Sequence, residues 1–250
     1  MRFRLFFINI FFLAFFFCTF SCKTNYDINV DIAQNYYKFL KTISNDGKVI
    51  IGDYLKMELS KNNANIIIQK DKKSYNIIGQ LKPERENRIV VGTFYDIENQ
   101  ENLGAIALVL SLSKIVEFSK QNQYGLDIVF FDNHYFQSSG AKLFAVNSKT
   151  DINKCVYIQN ILGKELSYLI DENSHKNSYQ LVEEIWSAAF DLGFNDLSSQ
   201  IETYKSDQIT LNSYNIKTVL LTNSNYSKFD KRSGYVFSHF QELIQEVINE

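Results

Sequence analysis

The sequence predicts an α/β fold with a largely parallel central sheet. Short apolar runs typical of buried strands alternate with longer segments whose apolar residues recur at helical spacing. A hydrophobic content of 45% in 250 residues supplies enough apolar material for one sizeable core. Because no repeat, low-complexity stretch or Pro/Gly-rich linker divides the chain, we expect a single domain over residues 31–250.

The first half of this domain is predicted to contain two helices and four β-rich segments. Apolar residues from Ile32 to Ile43 recur at helical spacing, whereas Val49-Ile50-Ile51 is a β-branched run that favours a strand. The expected elements are a helix at 31–43, β-rich runs within 48–59 and at 65–69, strands at 74–81 and 88–94, and a helix at 103–120.

The second half repeats the alternation of strand and helix. Its strands are short apolar runs such as Val129-Phe130-Phe131, and its helices carry apolar residues on one face. We expect strands at 127–131, 154–161 and 218–222, and helices at 138–146, 179–192 and 235–248.

The N-terminus has the three parts of a bacterial export signal. A basic start with Arg2 and Arg4 precedes an apolar stretch at 5–17, which is shorter than a typical membrane span. Thr19-Phe20-Ser21-Cys22 then resembles a lipobox, although the consensus prefers leucine where Thr19 stands. The prediction is a lipoprotein signal peptide at 1–21, lipid on Cys22 and a flexible tether at 22–30. An uncleaved anchor helix or ordinary secretion are the alternatives, and all three imply export to the cell envelope.

Charge and cysteine content restrict the choice of partners. With 26 basic and 28 acidic residues, the chain lacks the basic excess expected of a nucleic-acid-binding protein. The partner expected for the N-terminus is instead a membrane, reached through the lipid. Once Cys18 is removed with the signal and Cys22 carries lipid, Cys155 has no cysteine to pair with, and we interpret it as a buried apolar residue.

Six segments occur in an order and spacing that resemble a known family. They are 76–81, 90–96, 104–110, 129–132 with Gly140 downstream, 160–163, and 206–208 followed by 218–222. Together they resemble family twenty-eight of the metallopeptidases, which contains secreted bacterial zinc aminopeptidases and their glutaminyl cyclase relatives. The resemblance runs from about Tyr36 to the C-terminus. It implies a three-layer α/β/α, zinc-exopeptidase-like fold with a twisted sheet, and two zinc ions at the carboxyl ends of the strands.

The resemblance also implies which positions should bind zinc, and this sequence departs from the family at each of them. Phe94 stands in place of the first histidine, and Gln100, or Glu101 beside it, stands in place of the bridging aspartate. His134 and Tyr135 stand where two adjacent glutamates provide the general base and a ligand.

The remaining implied ligands are also replaced. Asn160 stands in place of a ligand aspartate, and Gln208 in place of the last histidine of the cyclase branch. In the aminopeptidase branch that histidine would fall near residues 227–230, which contain none. Asp96 matches an aspartate that the family keeps behind its first histidine. Because zinc requires imidazole, thiolate or carboxylate donors, we expect no metal cofactor.

Two functional hypotheses follow from these replacements. The first is a pseudoenzyme whose former cleft, an aromatic and amide surface, binds a peptide or small molecule; this cleft is lined by Phe94, His134, Tyr135, Asn160 and Gln208. The second is an active zinc-dependent exopeptidase or other hydrolase with non-standard ligands. That hypothesis requires Asp96, Glu101, His134 and Asp207 to converge. An unrelated lipoprotein fold is the third alternative.

The other two histidines are expected to have ordinary roles. His175 lies in a polar segment and is interpreted as a solvated loop residue, and His239 as a packed or surface residue of the last helix. A dyad of Cys155 with His134 is disfavoured because a cysteine inside a strand would not present an exposed thiolate.

Overall fold

The structure, a computed structural model, describes residues 25–96, 100–119, 123–135, 137–148, 151–226 and 233–249. The predicted signal peptide and Cys22 lie outside these residues. The first helix, α1 (Asn25–Ile43), begins within the segment 22–30 that the sequence predicts as a tether. Ile28 stands four residues before Ile32, so the helical spacing of apolar residues extends into this segment of the sequence.

Helices and strands alternate through the described residues. After α1 and a 3-10 turn at Ser44–Asp46, the helices are α2 (Lys48–Lys61), α3 (Leu103–Ile115), α4 (Ser139–Asn147), α5 (Glu172–Asn177), α6 (Tyr179–Asp191), α7 (Asp207–Ser213) and α8 (Ser233–Asn249). The strands are β1 (Asn65–Lys70), β2 (Tyr75–Leu81), β3 (Asn87–Phe94), β4 (Gly125–Phe131), β5 (Asp151–Gln159), β6 (Tyr168–Asp171), β7 (Leu197–Glu202) and β8 (Thr218–Thr222).

Six strands form the central sheet in the order β1-β2-β4-β3-β5-β8. Strands β4, β3, β5 and β8 run parallel to one another. A β1–β2 hairpin completes one side, and β2 pairs antiparallel with β4. The prediction of a mostly parallel central sheet is therefore confirmed.

Helices cover both faces of this sheet. On β3, Ile89 and Val91 belong to one buried cluster and Val90 and Phe94 to the other, as the two-residue period of a strand requires. The larger cluster contains residues of α1, α2, α3, α6 and α8, and the smaller one contains residues of α4 and α7. The three-layer arrangement is thus confirmed.

Helix α2 corrects the expectation of a strand within 48–59. The run Val49-Ile50-Ile51 has high β-propensity, but Ile51, Leu55 and Leu59 recur every four residues and are buried in the core. The helical period of these three residues therefore outweighs the local preference.

Other differences involve short or polar segments. Strands β6 and β7 form a separate two-stranded parallel sheet that was not predicted, and neither were helices α5 and α7. Helix α3 ends at Ile115 rather than at residue 120. His175 consequently lies on α5, where its ring contacts that of Tyr179, and not in a loop.

The end of the sheet opposite the strands' carboxyl termini is fixed by a buried ion pair. Arg88, at the start of β3, is 1% exposed, and its Nη2 lies 2.5 Å from Asp127 Oδ1 on β4. The same guanidinium donates to the carbonyl oxygens of Lys82 and Leu126. Arg88 therefore connects the β2–β3 turn to the central strands.

No helix within the described ranges is long and apolar enough to cross a membrane.

Candidate functional site

The predicted site residues gather where three parallel strands end. Strand β3 lies between β4 and β5, so the three carboxyl ends meet at the same edge of the sheet. Asp96 follows β3, His134 follows β4 and Asn160 follows β5 directly. Open α/β sheets commonly bind ligands at this edge.

Helix α7 contributes Asp207 to the same place. The Asp207 carboxylate is fully buried, and its Oδ2 accepts a hydrogen bond of 2.7 Å from Tyr157 Oη on β5. His134 Nδ1 lies 3.2 Å from the same oxygen, close enough for an ion pair but without the alignment of a hydrogen bond. Burial, followed by the nearby Asp207 charge, raises the pKa of Tyr157, so its hydroxyl stays protonated and can donate.

Aromatic rings fill the space between the ends of β3 and β4. The Phe94 ring is 1% exposed and stacks on the His134 imidazole, with centroids 4.2 Å apart and planes 7° from parallel. The Tyr135 ring is about half exposed and contacts both rings edge-on, at 5.6 Å and 5.1 Å. Each of the two rings therefore covers one face of the other.

Asp96 is a carboxylate with an unusually high pKa. Burial raises its pKa from 3.8 to about 6, and the Asp132 charge adds to this increase. A backbone hydrogen bond and the charge of His134 lower the pKa, but they do not outweigh the loss of solvation. Asp96 therefore changes charge close to neutral pH.

An unpredicted residue, Asn102, connects the ends of β3 and β5. Its Nδ2 donates to the Phe94 carbonyl oxygen and to Thr93 Oγ1, and its Oδ1 accepts from the backbone N–H of Asn160. Asn160 itself has a positive φ of 46°, a conformation that asparagine tolerates better than most residues. In the sequence, Asn102 stands directly before a predicted helix. That position indicates a helix cap, so the sequence does not reveal that Asn102 connects two strands.

The remaining predicted site residues differ in where they lie. Gln208 is fully buried beside Asp207, and its Nε2 donates to the Tyr204 carbonyl oxygen. Gln100 instead donates to Ser44 Oγ and Asn45 Oδ1, outside the cluster. Glu101 forms no hydrogen bond or ion pair with any described residue. Of the four side chains that the hydrolase hypothesis requires, His134 interacts with both Asp207 and Asp96, and among the described residues Glu101 has no hydrogen bond or ion pair with any of the three.

Buried polar atoms without a partner are concentrated at this site. Within the described ranges, such side-chain atoms are Asp96 Oδ1, His134 Nδ1, Asn160 Oδ1, Asp207 Oδ1 and Gln208 Oε1. All five belong to residues that the sequence predicted for the site. A buried polar atom without a hydrogen bond is costly, so a cluster of them indicates a place that water or a ligand completes.

The described residues of this site do not provide the donors that a zinc ion needs. Zinc sites combine imidazole, thiolate and carboxylate donors in tetrahedral geometry. Within the residues that the structure describes, no three His, Cys, Asp or Glu side chains are grouped to hold a metal. Phe94 has no donor atom, and Asn160 and Gln208 offer neutral amide oxygens. Residues 227–230, where one branch of the resembled family has a histidine, lie outside the described ranges.

Cys155 and His239 take no part in the site. Cys155 is fully buried, and burial raises the pKa of its thiol to about 12, which excludes a reactive thiolate at neutral pH. His239 Nδ1 lies 2.9 Å from the Tyr235 carbonyl oxygen, and its ring contacts Phe194. Both residues have the packing roles that the sequence predicted.

Comparison with solved structures identifies the fold. A protein from Bacteroides vulgatus assigned as a Zn-dependent exopeptidase superposes with a TM-score of 0.77 and 20% identity, covering 89% of this chain and 96% of that one. Bacteroides thetaiotaomicron glutaminyl cyclase bound to N-acetylhistamine gives 0.74 and 18%, covering 88% and 97%. A leucine aminopeptidase precursor from the same organism gives 0.74 and 18%, covering 88% and 96%.

Neither a protein-family model nor a curated protein sequence matches the chain. The structural likeness, at these low identities, establishes a zinc-exopeptidase-like fold over nearly the whole of the described chain. The predicted fold class is therefore confirmed.

Proposed function

We propose that this protein is an exported lipoprotein whose zinc-exopeptidase-like body binds a ligand without hydrolysing it. Signal peptide cleavage would leave lipid on Cys22 and attach the body to a membrane of the cell envelope. The body would then act as a binding module, a pseudoenzyme that retains the fold and the cleft position but uses neither zinc nor another cofactor. Its ligand would be a peptide or small molecule, and nucleic acid is not expected as a partner.

The observation that carries this proposal is the stack of Phe94 on His134. It occupies the ends of β3 and β4, where the resemblance implies the first zinc ligand and the general base. A phenyl ring cannot coordinate a metal, and its contact with the imidazole face places an apolar surface where a metal-bound water would need polar neighbours. The site therefore favours binding over hydrolysis.

The second candidate is an active hydrolase, which the proximity of Asp96, His134 and Asp207 favours. This arrangement could polarise a water molecule through His134, oriented by Asp207. It lacks the contribution of Glu101 that the hydrolase hypothesis required. We therefore keep it as the alternative that the experiment must exclude.

Metal content and peptidase activity distinguish the two candidates. The soluble body from Lys23 onward is purified without chelator, exposed to zinc, desalted and examined by elemental analysis, alongside a His134→Gln variant. The proposal expects no stoichiometric zinc in either protein and no aminopeptidase activity. One or two zinc ions per chain that are lost in H134Q, together with activity that a chelator abolishes, would establish the hydrolase instead.

Lipid attachment is tested separately in cells. The full-length chain is labelled with a fatty-acid analogue, and Cys22→Ser is compared with Cys18→Ser as the matched control. Label on the wild type and on C18S but not on C22S supports the anchor. Absence of label from all three, with the chain still exported, would favour ordinary secretion or an uncleaved anchor helix.

A further inference from the structure

The unpartnered atoms of the site are almost all hydrogen-bond acceptors. Four of the five are oxygens, one from each of Asp96, Asn160, Asp207 and Gln208. A carboxylate oxygen can only accept, and an amide oxygen likewise accepts. A ligand that completes this site must therefore present several hydrogen-bond donors.

The charge of the site favours a cation. Asp96 and Asp207 are both acidic, and no lysine or arginine forms an ion pair or hydrogen bond with either one among the described residues. Within the described ranges, the only ion-pair partner of either carboxylate is His134, whose Nδ1 lies near one oxygen of Asp207. Because a buried carboxylate without a full counter-charge is costly, a positively charged ligand would stabilise Asp96 and Asp207 more than a neutral one.

The number and placement of the acceptors favour a guanidinium over an ammonium group. They come from three segments of the chain: the end of β3, the end of β5 and the start of α7. An ammonium group has three donors, whereas a planar guanidinium has five in a fork that reaches acceptors on different sides. Guanidinium is also less strongly hydrated than ammonium, and it stacks on aromatic rings. The half-exposed Tyr135 ring beside His134 provides such a surface.

Access to the acceptors is graded. Asp96, His134 and Asn160 are partly exposed as residues, whereas Asp207 and Gln208 are completely buried. A small planar group that enters from the surface would therefore meet Asp96 and Asn160 first.

We propose that the cleft binds a guanidinium group, such as that of a guanidino compound or an arginine side chain. This inference rests on the proposed function, because it assigns a ligand class to the same cleft.

The test compares three ligands that share one alkyl chain. Butylguanidinium, butylammonium and butylurea are titrated into the zinc-free soluble body by calorimetry; the second is a cation with fewer donors, and the third is a neutral planar analogue. The proposal expects butylguanidinium to bind at least about tenfold more tightly than either analogue, since butylammonium offers fewer donors and butylurea lacks the charge that strengthens hydrogen bonds. Equal binding of butylammonium would overturn the argument from donor number, and equal binding of butylurea would overturn the argument from charge.

Two variants locate the binding. Asp207→Asn removes one charge and should weaken butylguanidinium binding by about tenfold or more. Gln208→Leu removes one acceptor and should weaken binding severalfold; it also serves if D207N does not fold. Asp191→Asn, at an exposed position on α6, is the control and should bind as the wild type does. Binding that neither site variant changes would place the ligand elsewhere and refute the proposal.

Failure of this inference is distinguishable from failure of the proposed function. Elemental analysis of the same preparation reports whether zinc is absent. If the protein is zinc-free and binds none of the three ligands, the guanidinium proposal is refuted. The acceptors would then be hydrogen-bonded to water, and the proposal of a non-hydrolytic binding module would not be affected. Tight binding of calcium or zinc that the Asp207→Asn variant abolishes would instead show that the oxygens serve a metal ion.

Discussion

Replacing Asp96 with asparagine should stabilise the protein, and the gain should grow as the pH rises. The folded protein holds the Asp96 carboxyl in a buried place that raises its pKa from 3.8 to about 6, so the folded state retains this proton to higher pH than the unfolded chain does. The stability that protonated Asp96 contributes is fully present below about pH 3.8, and it is lost as the pH rises through about 6.

The size of the effect follows from this shift. Full deprotonation of Asp96 in the folded state costs about 3 kcal/mol. Asparagine has a similar shape and no charge, and it can keep an acceptor toward the backbone N–H of His134. We therefore expect the advantage of Asp96→Asn over the wild type to increase by about 2.5 kcal/mol between about pH 4 and about pH 8.

Urea unfolding of both proteins across this pH range measures the difference directly. Subtracting the two curves of unfolding free energy against pH cancels the contributions of the carboxylates that both proteins share, except those near Asp96 such as Asp132. Asp191→Asn, which changes an exposed carboxylate, should give a nearly flat difference. A flat difference for D96N as well would show that Asp96 is solvated in the folded protein, and the cluster of buried acceptors would lose one of its members.

Three further predictions concern the body of the protein. Arg88→Met should lower the free energy of unfolding by about 3–5 kcal/mol, because it leaves the Asp127 charge buried and unpaired. In urea titrations, R88M combined with Asp127→Leu should recover much of this loss, and equal losses in the single and double variants would contradict the prediction. Gly140→Ala should lower the thermal midpoint, since an added Cβ would lie 2.1 Å from the Asp132 carbonyl oxygen, and an unchanged midpoint would show that α4 can move away. Cys155 should react with a thiol reagent only after unfolding, because its thiol is fully buried with a pKa raised to about 12, and rapid labelling of the native body would disprove that burial.

The parallel part of the sheet could be predicted because its strands are buried on both faces. Such strands are continuous apolar runs, and β8 was located to the residue. Strand β7, Leu197–Glu202, was not found because its Ser-Ser-Gln centre is polar and largely exposed, without the alternation that marks a half-buried strand. Helix α2 was misread because three consecutive β-branched residues gave a strong local signal, and only packing reveals which positions are buried.

The candidate site was predictable in part, through the ends of strands. His134 and Asp96 follow buried strands, and parallel strands place such residues together whatever their separation along the chain. Tyr157 could not be found in the same way, since a tyrosine within an apolar strand indicates packing, and its bond to Asp207 joins positions 50 residues apart. Gln100 was assigned to the site by resemblance alone, and its bonds to Ser44 and Asn45 depend on how α1 and α2 are connected.

The order of the strands in the sheet also determines how the chain can fold. Strand β3 can pair on both sides only after β5 has been synthesised, and the sheet is completed only when β8, at Thr218–Thr222, pairs with β5. Contacts between strands so far apart in sequence close large loops and slow the search for the native state, whereas the β1–β2 hairpin can form locally. A chain of high contact order takes longer to reach its native state, so refolding of this body after dilution from denaturant should be slow.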